Sequence, residues 1–338
     1  MTGSGRASPE PLTSGASTAA APRRWRLGVS IVDYGILIAF VVLSAALALL
    51  TPTFLTSGNI LNVGRQVSIV AVLAAGQTFV ILTAGIDLSV GSVLALSGAV
   101  AAGVAASVGW APGIVAGLLI GAGAGLLSGL AITLLLVPDF VATLAMLSIA
   151  RGATLIYTGG QPIGVAEGGL RFLGGGTIGP IPVPIIVMLV VFVVSIVVLR
   201  STTFGRYVYA TGGNRRAAAF SGIDVNRVRV LVYVVSGLLA GLAGVVLTGR
   251  LATADPQAGV GYELDSIAAV VLGGTSLFGG QGTVARTLLG ALILGVLSNG
   301  MNLLDVSPFL QEVVKGIVIV IAVAFGNLEQ LRHRALGA

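Results

Sequence analysis

Residues 181–230 read IPVPIIVMLVVFVVSIVVLRSTTFGRYVYATGGNRRAAAFSGIDVNRVRV. The stretch 181–199 carries no charge. From Arg200 to Arg229 the chain then gathers six arginines against one aspartate, which is +5 of a net charge of +6. A hydrocarbon core about 30 Å thick is crossed by about twenty apolar residues in a helix, and the uncharged run has that length. A basic interval beginning where such a run stops marks a span emerging on the cytoplasmic side, since arginines beside spans set their orientation.

Outward from this junction the same pattern recurs. Apolar runs place spans near 31–50, 66–84, 88–108, 113–136, 139–157, 181–199, 229–249, 265–280, 285–304 and 308–325. Gly273, Gly274, Gly279 and Gly280 suit a broken or re-entrant eighth span, and 52–64 suits a short interfacial helix. The predicted fold class is therefore all-α, a polytopic bundle of about ten transmembrane helices with a short or broken pair. Composition agrees: 56% of the 338 residues are hydrophobic and 9% charged, whereas soluble domains carry about 25% charged residues. With Arg23, Arg24 and Arg26 inside, ten crossings return 200–228, Arg286, Arg332 and Arg334 to the cytoplasm, so both termini are expected there. Residues 1–27 read as a disordered cytoplasmic tail, 28–328 as one transmembrane domain, and 329–338 as a second cytoplasmic tail. The arginines flank spans, so nucleic acid is not an expected partner.

Several chemistries are excluded by inventory. There is no cysteine, and the single histidine, His333, lies in the tail, so thiolate, disulfide and His-rich zinc sites are absent and no metal site is expected. A phosphate-binding loop needs a Gly-rich turn followed by Lys and Ser or Thr. The one lysine, Lys315, has no such loop before it. The chain is thus expected to hydrolyse no nucleotide, and no catalytic residue is assigned.

Polar residues inside spans are the functional candidates, because a mid-membrane charge costs about 2.5–3.5 kcal/mol on insertion scales. Asp87 and Ser89 lie between spans two and three. Two roles suit them: capping the start of span three, or lining a path or gate. Gln77 and Asn299, with Asn302, can hydrogen-bond a polyol or join neighbouring helices. Arg151 falls within span five. Glu312 and Lys315, three apart on one helix, suit a local pair. Gly117, Gly121, Gly125 and Gly129 fall close to one helical face, as do Gly237 and Gly241, and invite close approach by another helix.

In the basic interval, Asn214 is a possible N-cap and Gly222 a terminator, so NRRAAAFSG reads as a helix of about two turns outside the membrane. The small Ala217, Ala218 and Ala219 permit another surface to come close, and Phe220 offers an anchor. A solvated loop accounts for the arginines alone; a compact Ala/Gly helix is better suited to docking.

These residues carry a family resemblance. GRYVYATGGNRRAAAFSGIDVNRVR resembles the cytoplasmic coupling segment of the ribose/xylose/arabinose/galactose-type ABC transporter permeases. FVILTAGIDLSVGSVLALSG (79–98), FVATLAMLSIARGATLIYTGG (140–160) and GYELDSIAAVVLGGTSLFGGQGTVARTLLGALILG (261–295) are similar to further blocks in the family's order, and the ribose type is closest. The resemblance implies that two copies form the pore, and that a separate cytoplasmic ATPase binds ATP and Mg, leaving this chain without a cofactor. It also implies a periplasmic or lipid-anchored binding protein that delivers a monosaccharide. Gly212, Gly213, Asn214, Ala217, Ala218, Ser221 and Gly222 would then lie in or beside the helix that couples to the ATPase, within a coupling segment 200–228. Asp87, Ser89, Gln77 and Asn299 are the path or gate candidates. A permease for branched-chain amino acids or a sugar-like signal, and an ATP-independent facilitator, are the alternatives.

Overall fold

The helix at the centre of the molecule is α2 (Ser57–Leu82), in which every residue from Ala71 to Leu82 is buried. Gln77 and Thr78 apart, that stretch is apolar on all sides, as a helical segment with no solvent face must be. The computed structural model describes Gly3 and residues 31–336, with side-chain surroundings for 35–321 and Ala324. Before α2 comes α1 (Ile31–Leu50); after it come α3 (Val90–Ser107), α4 (Trp110–Thr133), α5 (Asp139–Thr158), α6 (Gly169–Gly175) and α7 (Val183–Ser201). The second half comprises α8 (Thr203–Gly213), α9 (Arg215–Phe220), α10 (Val225–Leu251), α11 (Tyr262–Leu272), α12 (Val284–Leu303) and α13 (Pro308–Leu336). Two small antiparallel ladders complete the described fold: β1 (Ile163–Gly164) with β4 (Thr253–Ala254), and β2 (Thr177–Ile178) with β3 (Ile181–Pro182). Among the described residues, seven helices, α2, α3, α4, α5, α7, α10 and α12, are long and apolar enough to cross a membrane. The protein is a polytopic helical membrane protein.

The glycine rows meet each other. On α4, a Cβ at Gly121 would run into the Gly237 carbonyl and the Gly241 backbone of α10, and a Cβ at Gly237 would run into Gly121 and Gly125. The two helices touch backbone to backbone, which is the packing that small residues permit where lipid supplies no hydrophobic drive between helices. This seam fixes α10 against α4 and leaves its other sides for α2, α3 and α6.

Four elements depart from the sequence reading. There is no separate interfacial helix over 52–64, because α2 starts at Ser57, not near 66. Its N-cap is Thr56, whose hydroxyl accepts from Asn59 N at 3.4 Å. The expected span 265–280 is helical only through Leu272, so α11 is about 16 Å long at 1.5 Å per residue, too short to cross. Residues 273–283 continue as irregular backbone with positive φ at Gly274, Gly279, Gly280 and Gly282. The surface helix α8 was not foreseen. At the C-terminus, α13 runs unbroken to Leu336 where a tail was expected from 329. The expected tail over 1–27 lies outside the described residues, Gly3 apart.

Two breaks position the polar groups. At the end of α2, Ala84 adopts φ +58. Ala84 N donates to Ile81 O (2.9 Å) and Gly85 N to Val80 O (3.1 Å), a Schellman closure built on alanine instead of the usual glycine. The chain then doubles back along α2 as non-helical backbone until α3 begins. At the far end of α10, Ala252 takes the same left-handed conformation at φ +57, and residues 253–261 double back to α11. The two re-entrant segments converge: a Cβ on Gly91, in the first turn of α3, would meet the Gly259 carbonyl and the Glu263 carboxylate of α11.

Candidate functional site

One end of the bundle collects the C-terminus of α2, the N-termini of α5, α10 and α12, and all of α8 and α9. Asn214 caps α9, its Oδ1 accepting from Ala217 N at 3.0 Å. Gly222, at φ +83, lets the chain turn out of the helix, while Ser221 Oγ donates to Ala217 O at 2.9 Å. The helix is six residues, about 9 Å, shorter than the two turns expected. Its faces divide sharply. Ala217, Ala219, Ser221 and Gly222 are exposed, and Phe220 is 92% exposed, whereas Ala218 is buried at 5%. Ala218 packs into its own chain, so the expectation that it offers a surface to another molecule is corrected.

The base of α9 is anchored. Arg215 Nη2 donates to Thr83 O (3.1 Å) and Ala84 O (3.3 Å), at the carbonyl end of α2, where helix carbonyls lack intrahelical donors and the dipole is negative. A Cβ at Gly212 would strike Leu82 O, and Gly280 N donates to that same oxygen at 2.9 Å. Tyr209 Oη of α8 donates to Gly282 O at 2.9 Å. Gly213 is exposed, with open space where a Cβ would stand. Beside this anchor, Arg229 of α10 pairs with Asp139 of α5, and Tyr233 Oη donates to Asp139 Oδ2 at 3.0 Å. The exposed segment is therefore tied to both irregular stretches, 83–89 and 273–283.

Deeper in the bundle, Asp87 is 1% exposed. Its Oδ1 accepts from Ser89 N (3.0 Å) and Ser89 Oγ (2.6 Å), and its Oδ2 from Ser236 Oγ of α10 (2.8 Å). Gln77 of α2 is fully buried. Its amide, oriented to satisfy both atoms, donates to Asp87 O and accepts from Asp87 N, each at 3.2 Å. Gln77 thus pairs with the re-entrant backbone as a neighbouring strand would. Ser89 is the N-cap residue of α3, but its side chain makes no cap bond. The second re-entrant segment is held by Arg151 of α5, whose Nη1 donates to Pro256 O (2.7 Å) and Ala258 O (3.1 Å).

Asn299 stands elsewhere. It forms a reciprocal amide pair with Asn59, 3.0 and 2.9 Å, joining α12 to the first turn of α2. Asp87, Ser89 and Gln77 come together; Asn299 does not join them.

The region 59–323 matches the family described as branched-chain amino acid transport system / permease component. The chain belongs to this family. Over 308 residues it is 47% identical to the ribose import permease protein of Haemophilus influenzae, covering 90% of this chain and 95% of that protein. Over 286 residues it is 52% identical to the ribose import permease protein of Bacillus subtilis, covering 83% and 88%. Over 334 residues it is 39% identical to the L-arabinose ABC transporter permease protein of Azospirillum brasilense, covering 98% and 97%. No solved structure matches. The protein is a permease, a transport subunit and not an enzyme.

Sequence reasoning found the polar residues of the permease but not all their partners. Ser236 in α10 carried no signal apart from its type. The Arg229–Asp139 pair is separated by ninety residues, and its one sequence signal was that each charge stands at the first residue of an expected span. The expected local pair exists, Lys315 Nζ to Glu312 Oε1 at 3.0 Å, but Lys315 also reaches Asp265 Oδ2 of α11 at 3.4 Å.

Proposed function

We propose that this permease is the membrane-spanning subunit of an ATP-driven importer for ribose or a closely related monosaccharide, energised by an ATPase on a separate chain. The observation that carries the reading is the shape of α9: a capped helix with an exposed Phe220 and small exposed neighbours, rooted by Arg215 in the end of α2. The ribose import permeases named above support the cargo. Two copies would enclose the route, the ATPase would seat on the exposed face of α9, and a binding protein would deliver sugar to the opposite end.

In this reading α9 faces the cytoplasm, and α1 to α5, α7 and α10 to α13 make ten passes. The eighth is helical only in part, its helix α11 being continued by the irregular backbone on either side of it. Both termini lie on the α9 side. Closure of the ATPase halves would displace α9. The displacement reaches 83–89 through the Arg215 bonds and 273–283 through Gly280 and Tyr209, a two-state element biased by a distant ligand.

The test is reconstitution. Proteoliposomes holding the permease, its ATPase and its binding protein should accumulate D-ribose only with ATP. Accumulation by the permease alone would end the ATP-driven reading. The family's description favours a second cargo, a branched-chain amino acid, and inhibition of uptake by L-leucine at concentrations where D-ribose does not compete would favour it.

A further inference from the structure

Away from both clusters, a cavity of about 120 Å³ opens between α2, α11, α12 and α13. Its wall includes Gln66, Tyr262, Asp265, Ser298, Gln311 and Lys315. Gln66 is sixteen residues from Leu82, about 24 Å along the helix, so the cavity sits well away from the end that bears α9. Six polar side chains around one small space are unusual in an apolar bundle, where each is costly unless it has a partner or a task.

An interhelical ion pair accounts for only part of the wall. Lys315 takes Asp265 Oδ2 and Glu312. Gln311 Nε2 donates to Asn302 Oδ1 at 2.8 Å and Val306 O at 2.9 Å. Among the described residues, the Gln66 amide, Ser298 Oγ, Tyr262 Oη, Gln311 Oε1 and Asp265 Oδ1 take no hydrogen bond from the protein. They present donors, acceptors and one carboxylate oxygen to the same space, with the Tyr262 ring beside them. Each sugar hydroxyl both donates and accepts, so a polyhydroxylated ring can satisfy a mixed set of this kind. An aliphatic side chain would leave the same groups unpaired, at about 1–3 kcal/mol for each.

We infer that this cavity is a station for a small polyol of monosaccharide size on the transport route. The inference rests on the sugar-importer reading and assigns the cargo a place within it. Asp265 and Gln66 hold hydroxyls, and the Lys315–Asp265 pair holds α13 against α11.

The chain has no cysteine, so Ser298→Cys places a single permease thiol in the wall, and Gln66→Cys provides a second if the first does not fold. The complete importer in proteoliposomes is treated with a small methanethiosulfonate reagent, and modification of the permease is followed by mass. D-ribose at about ten times its dissociation constant should slow labelling about tenfold, and L-leucine should not. Ribose uptake with labelling unchanged at both thiols would overturn the site and leave the importer reading standing. Protection by L-leucine in place of D-ribose would overturn the polyol assignment. Failure of the unsubstituted assembly to take up any sugar would remove the importer reading, and this inference with it.

Discussion

Asp87 shows what one buried carboxylate holds together. It accepts three hydrogen bonds, two from Ser89 and one from Ser236, while Gln77 pairs with its backbone. Replacing it by leucine strands those donors, at about 1–3 kcal/mol for each buried group, whereas asparagine keeps an acceptor oxygen at the same place. Asp87→Leu should abolish uptake in the reconstituted importer and lower the melting temperature in detergent, and Asp87→Asn should retain part of both. Equal uptake by the two variants would show that the latch is dispensable. On α9 the contrast is between neighbours. Phe220→Ala removes an exposed ring and should weaken ATPase binding with the permease fold intact. Ala218→Arg must force its way into a packed site, at about 1–3 kcal/mol, and should dislodge α9 itself. Co-purification of the ATPase separates the variants from wild type, and limited proteolysis at 214–222 separates them from each other. Unaltered ATPase capture by Phe220→Ala would argue against docking on that face.

Between elements, the α4–α10 seam and the two re-entrant segments behave differently. The seam is a matter of backbone contact, so Gly121→Val should reduce folded yield sharply, because the methyls meet the Gly237 carbonyl and not a side chain that can move. Gly123 of the same helix has open space at its Cβ, and Gly123→Val should be tolerated; equal yields would remove the seam's special status. The seam was legible beforehand because a fixed glycine spacing on a helix is a local, periodic signal. The re-entrant segments were less legible. Glycines marked 273–283 as irregular, but both reversals turn on alanines, Ala84 and Ala252, in a conformation that sequence assigns to glycine. The start of α2 was misplaced for a related reason: Thr56 is a sound N-cap, yet Gly58 and the polar Asn59 and Asn62 weaken the apolar signal that places a span. Pairings such as Asp87 with Ser236 and Arg151 with the carbonyls of 256 and 258 depend on tertiary placement, and residue type alone does not reveal them.

For the whole molecule, the question is whether force applied at α9 reaches the interior. Arg215 is the most direct link, since its guanidinium spans from the short helix to the carbonyls of Thr83 and Ala84, a few residues before Asp87. The parallel links, Gly280 N to Leu82 O and Tyr209 Oη to Gly282 O, tie the second irregular stretch to the same place. If these bonds only hold α9 in position, Arg215→Ala should lower ATPase binding and uptake together. If they carry motion, Arg215→Ala should leave the ATPase bound and hydrolysing ATP while uptake falls about tenfold or more, because a coupling of 1–3 kcal/mol is worth roughly 5–150-fold. Arg215→Lys keeps the charge but gives up the planar fork that meets two carbonyls, and should restore uptake only in part. The ratio of sugar moved to ATP hydrolysed decides between the two. A ratio equal to wild type in Arg215→Ala would mean that Arg215 holds α9 in place and carries no motion to the interior.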